Sequence, residues 1–133
     1  AVSENEPQVW LEFAERDRRA ARNALDAADY WDAAFHCQQA IEKLLKAAIV
    51  NQTGQKPPYI HSLWILANEI QSIVIPADIM DALARISAHY TTTRYPIGVS
   101  LKGYEDEKSA IELHATMEEV YQWLMSKLNL PGA

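Results

Sequence analysis

Asp17 interrupts a row of apolar residues, Trp10, Phe13, Ala14, Ala21, Ala24 and Ala28, that recurs at helical spacing. A carboxylate inside such a row is costly unless it is paired or hydrogen-bonded. Lys43, Lys46 and Arg94 are its candidate partners. A second polar group, Gln39, Glu42, Lys43 and Lys46, recurs at three- and four-residue spacing and so lies on one face of a helix. Two readings stand side by side. Either this is a solvent face with Glu42 and Lys46 paired one turn apart, or it is a groove where the lysines meet phosphate and Gln39 supplies amide contacts. Arg94-Tyr95-Pro96 offers a guanidinium for phosphate and a ring that can stack on a base; its plainer role is to anchor a loop.

Arg85 and His89 stand four apart and share a helical face, so they could meet one phosphate. An ordinary surface pair is the simpler expectation. His61 is expected near a helix start with Ser62 as a cap, and His36 as a packed, hydrogen-bonded side chain. His114 precedes Glu118 by four, a spacing that could hold metal, but no Glu-x-x-His occurs, so a carboxylate-bridged metal bundle lacks support and no cofactor is expected. The arginines at 16, 18, 19 and 22 alternate with Glu12, Glu15 and Asp26 and are read as a solvated face. There is no Gly-x-Ser-x-Gly and no Gly-Lys-Ser/Thr.

Five helices must position these groups. The first is expected over Gln8 to Ala28, with Asn5 as cap and Pro7 in the first turn. After a break at Asp29-Tyr30, a second runs from Trp31 to Asn51 and is apolar on most faces, the mark of a central helix. Thr53-Gly54 ends it, and Pro57-Pro58 forces an extended linker before the next helix. A short third helix fits His61 to Ser72, and a fourth begins at Pro76 with Ile79, Leu83, Ile86 and Tyr90 inward. Thr91 to Gly103 reads as a loop. The last helix covers Glu105 to Leu128, with Ala110, Leu113, Met117, Val120, Leu124 and Leu128 in heptad spacing. The fold class is all-α: one domain over residues 1–133, an antiparallel up-down bundle of four long helices plus one short one.

Composition narrows function. Hydrophobic residues make up 49% of the chain and there are only four glycines, which favours a packed helical core over disorder. A net charge of −6 opposes broad binding to a nucleic-acid backbone, so duplex DNA is not an expected partner and any phosphate contact must be local. Cys37 alone cannot form an internal disulfide or a zinc site needing two thiolates. No apolar run is long enough to span a bilayer, so no membrane partner is expected, and the first ten residues show no signal pattern; a cytoplasmic location is the expectation.

The run from Ala33 to Ala47, with Phe35, Gln39-Ala40, Glu42-Lys43, Leu44 and Lys46-Ala47, resembles the second helix of HEPN domains. Trp10 and Asp17 before it, His61-Ser62-Leu63 after it and Arg94-Tyr95-Pro96 further on stand in the family's order, so the resemblance covers Trp10 to Leu128. It implies an antiparallel, usually dimeric bundle that binds a nucleotide or accompanies a nucleotidyltransferase partner chain, often in a toxin–antitoxin pair. By the same resemblance the ligand-binding residues would be Asp17, Gln39, Glu42, Lys43, Lys46, Arg94 and Tyr95. The family's ribonuclease branch carries Arg and His separated by four to six residues; between Arg85 and His89 there are three. A non-catalytic domain is therefore expected, with a metal-independent ribonuclease using Arg85, His89 and Arg94 as the alternative. Ile97-Gly98 stand where relatives often place an acidic residue after the tripeptide.

Overall fold

The computed structural model describes residues 3–94 and 106–132, and for 89–94 the backbone alone. Every regular element among them is a helix: α1 (Pro7–Asp26), α2 (Tyr30–Thr53), α3 (Leu63–Asn68), α4 (Ala77–Arg94) and α5 (Glu107–Leu128). The four long helices and one short one match the expected bundle. Helix α2 is its centre, packed against α1, α3, α4 and α5, with α1 along its greatest length.

Local chemistry sets the helix ends. Asp29 caps α2 by accepting from Asp32 N at 3.4 Å, and Gly54 closes it in the left-handed region at φ 68°. Ser62 caps α3 and Asp106 caps α5, while Asn129 ends α5 at φ 51°. Neither Asn5 nor any other side chain caps α1; Glu6 holds the cap position without a side-chain bond, and Pro7 opens the helix where its missing N–H costs nothing.

Three expected boundaries shift. Helix α1 stops at Asp26, and Ala28 turns at φ 60°, so this alanine lies outside the helix and is exposed. Helix α3 is shorter than its apolar pattern suggests, because Ser62 caps it late and its turns give out after Asn68. Helix α4 continues through Thr91 to Arg94, which makes Arg94 its last residue rather than a loop residue.

The core is a continuous cluster in which Ala14, Ala21, Ala40 and Ala47 are fully buried, small side chains that let α1 approach α2 closely. Ile41, Leu44 and Leu45 of α2 meet Leu63, Leu66, Leu83 and Ile86 on one side and Met117, Tyr121 and Leu124 on the other. The inward face of α1 is phased on Leu11, Ala14, Asp17 and Ala21. Phe13, expected inward, is instead 42% exposed.

Candidate functional site

Because α2 is covered by neighbours on most sides, its polar residues must find partners across the helix seams. Asp17 on α1 faces two of them. Lys43 Nζ donates to Asp17 Oδ2, and His36 Nδ1 lies 2.8 Å from Asp17 Oδ1, donating whenever the proton sits on Nδ1. The Asp17 carboxylate is nearly buried, whereas Lys43 and His36 keep 24% and 29% of their side chains exposed. Lys43 Nζ also stands 5.9 Å from the centre of the Phe13 ring, a cation–π distance. A buried anion thus holds two partly exposed nitrogen groups at the mouth of the α1–α2 seam.

A second carboxylate repeats the arrangement deeper in the fold. Glu42 accepts from Lys46 Nζ at 3.1 Å and from Gln38 Nε2 at 3.0 Å, and His61 Nδ1 lies 3.1 Å away. Glu42 and Lys46 pair one turn apart as expected, but each is only 4% exposed, so this half of the stripe is no solvent face, while Gln39 and Lys43 keep part of their surface exposed. The Lys46 ammonium lies 5.8 Å from the Trp10 ring centre and 5.9 Å from that of Tyr59. A charge this deeply placed survives because the carboxylate, two ring faces and the Glu42 network replace water. Gln38 also donates to the His61 carbonyl at 3.2 Å, so the network ties the segment before α3 to α2. Gln38 Oε1 is buried without a partner.

The remaining member of the stripe, Gln39, is half-buried and has no hydrogen-bond partner among the described residues. Its amide is therefore open, between the exposed parts of His36 and Lys43 on the same helix face. Arg94 ends α4, but its side chain and Tyr95 lie outside the described residues, as does the side chain of His89. Arg85 is exposed on α4.

A separate set of charges joins α1 to α5. Arg18 Nε and Nη2 donate to the two oxygens of Glu118 at 2.8 and 2.7 Å, and the guanidinium carbon sits 4.9 Å over the Tyr121 ring. Tyr121 OH donates to Glu15 at 2.7 Å. The Arg18 hydrogen bonds hold the Glu118 carboxyl below its usual range, and burial followed by donation to Glu15 raises the Tyr121 hydroxyl. Arg18 is consequently no part of a solvated face, and its partner a hundred residues away left no mark on local spacing. His114 is buried beside this clasp; burial lowers its pKa, and Nε2 has no partner.

Nothing in these networks resembles an activated nucleophile. Burial pushes the Cys37 thiol up to about 12, so the thiolate needed for attack is absent near neutrality. Among the described residues no three His, Cys, Asp or Glu side chains are placed to hold a metal ion. A cleft of about 580 Å³ opens between α1 and the end of α5, lined by Gln8, Glu12, Glu15, Arg19 and Met125. Its two carboxylates face one guanidinium, a balance that does not suit an anion. No helix among the described residues is long and apolar enough to cross a membrane.

Residues 7–128 match the HEPN domain. The chain belongs to the HEPN family. Its fold is similar to that of TT1696 from Thermus thermophilus, with a TM-score of 0.81 and 26% identity over 92% of this chain and 98% of that one. It is also similar to ST0689, an archaeal HEPN homologue, with a TM-score of 0.73 and 28% identity over 93% and 98% of the two chains. A search among curated proteins gives no match. Within this HEPN domain the residues that carried the resemblance divide in two. Asp17, Gln39 and Lys43 come together at the seam mouth, while Glu42 and Lys46 lie behind them. Sequence reasoning missed His36 and His61 as partners of the two carboxylates. His36 precedes Gln39 by three and Lys43 by seven, a spacing that could have placed it on the stripe. His61 meets Glu42 only through the tertiary fold.

Proposed function

We propose that this HEPN domain is a non-catalytic binding module, dimeric in use, that takes a phosphate-bearing ligand such as a nucleotide along the polar stripe of α2 at the α1–α2 seam, with Arg94 of α4 as a further cation. The single observation behind this reading is the nearly buried Asp17, which holds Lys43 at the surface with ammonium protons to spare beside the open Gln39 amide. Lys43 and Gln39 would face the ligand, and the family resemblance adds Arg94 and Tyr95 to them. Asp17 orients Lys43, and Glu42 with Lys46 supports the helix face from behind. A nucleotidyltransferase partner chain, in a toxin–antitoxin type of pair, is the setting the family suggests. Exposed Trp64 and Ile65 on α3 are available for a dimer contact, together with half-buried Trp31 and Trp123.

The test is a double-mutant cycle for ADP binding with Lys43→Ala and Arg94→Ala. Residues sharing one phosphate should couple by more than about 0.5 kcal/mol. Additive losses, or full binding in the double variant, would move the site elsewhere. Cleavage of labelled RNA in chelator, lost in Arg85→Ala, would overturn the non-catalytic assignment.

A further inference from the structure

Three residues on one face of α2 have unused hydrogen-bonding capacity at the same place. Lys43 uses one ammonium proton on Asp17, Gln39 has no partner among the described residues, and His36 engages Asp17 through Nδ1 alone. His36 Nε2, on the far side of the ring, has no partner among the described residues and is not among the buried unpartnered atoms, so solvent reaches it. These groups follow one another at three- and four-residue steps, about one helical turn apart each time. Together they make a polar strip along the seam, on which a phosphodiester-bearing ligand has donors from more than one residue within reach.

Charge then distinguishes His36 from the other two. Asp17 and Lys43 cancel, so an incoming anion meets a pair with no net charge to offer. The imidazole is the one group on this strip with a second nitrogen that can take up a proton and become cationic. When protonated it donates Nδ1–H to Asp17 and keeps Nε2–H for the ligand, without moving. We propose that anion binding at the α1–α2 seam takes up one proton on His36, so that the ligand is held more tightly as pH falls. This rests on the phosphate-binding reading given above. The charged groups around His36 are Asp17 from α1, and Asp32 and Lys43 on its own helix; the Phe35 ring meets it edge-on at 5.3 Å between centroids. Among the described residues no charged group of α3, α4 or α5 is paired with it.

The experiment uses a dinucleoside monophosphate, whose phosphodiester keeps a fixed negative charge, titrated calorimetrically from pH 6 to pH 8. Affinity should be at least about fivefold tighter at pH 6, within the limit of about tenfold per pH unit that one linked proton sets. Buffers of different ionisation heat should register net proton uptake. His36→Gln should bind with the weak high-pH affinity throughout. His36→Lys, which carries a fixed charge, should bind without pH dependence and more tightly than His36→Gln at pH 8. His61→Gln, altering the other carboxylate's histidine, should leave the pH dependence in place. Binding that is lost in Lys43→Ala yet flat with pH, or a pH dependence that survives in His36→Gln, overturns the proton-linked role and leaves the anion site standing. Absence of binding at every pH, or binding indifferent to Lys43→Ala, overturns the anion site itself and this inference with it.

Discussion

Helix α1 carries charges into two seams, and they are finished differently. Toward α5, Arg18 meets both oxygens of Glu118, and Tyr121 meets Glu15; each strong group has a partner matched in number and direction. Toward α2, Asp17 holds Lys43 and His36 by one contact each and leaves the remaining ammonium protons of Lys43 and the second ring nitrogen of His36 without a hydrogen-bond partner among the described residues. The first arrangement is closed and can only hold helices together. The second holds them together and still has something to offer. Both seams contain carboxylates and cations, so counting ion pairs would rate them alike. What separates them is whether the donor capacity is used up.

The largest break in this comparison should come from the support behind the open seam. Glu42→Ala leaves the buried Lys46 ammonium without its counter-charge, and urea unfolding should show a loss of about 3–5 kcal/mol. Replacing the pair together, as Glu42→Leu with Lys46→Met, should restore most of that loss. A Glu42→Ala variant as stable as the parent would mean that Lys46 is not held as described.

Arg18→Ala should cost less, about 1 kcal/mol, because the clasp is part-exposed, and it should leave ligand affinity unchanged. The clasp also has a pH signature. The Glu118 carboxyl is held low in the folded chain, so its contribution is complete above about pH 4.3 and disappears as pH falls through the native value. His114, lowered by burial, contributes above about pH 6.5 and loses that contribution on acidification. Thermal melts from pH 7 to pH 3 should therefore fall in two stages. Arg18→Ala should flatten chiefly the more acidic one, and an unchanged profile would remove Glu118 from the account. The smallest effect belongs to the open seam: Gln39→Ala should stay within about 0.5 kcal/mol of the parent in stability while weakening ligand binding. Equal binding in that variant would take the amide out of the site.

The sequence allowed the bundle to be read closely because its helices obey one period and end on Asp29, Gly54, Ser62 and Asp106. The site was legible where a residue violated that period. Asp17 stood out as a carboxylate in an apolar row, and Lys43 was among its named partners. The depth of Lys46 was not legible, since a lysine's spacing cannot tell whether Trp10 and Tyr59 will close over it. Phe13 was assigned inward because the row began one phase off; Leu11 takes the core position instead. The Arg18–Glu118 and Glu42–His61 pairs depend on how distant segments return, and no local pattern encodes that.

The different reach of the two seams also sets an order of assembly. Asp17 and Lys43 are 26 residues apart on helices joined by a short turn, whereas Arg18 and Glu118 are 100 residues apart. Closing the longer loop costs more chain entropy, and contacts of high sequence separation tend to form late in folding. The α1–α2 hairpin with its open valences should thus form first, and α5 should seal the opposite side afterward. In stopped-flow kinetics, Arg18→Ala should then speed unfolding while leaving the folding rate nearly untouched; a slowed folding limb would reverse the order. The open edge of this domain would exist, in outline, before the domain is complete.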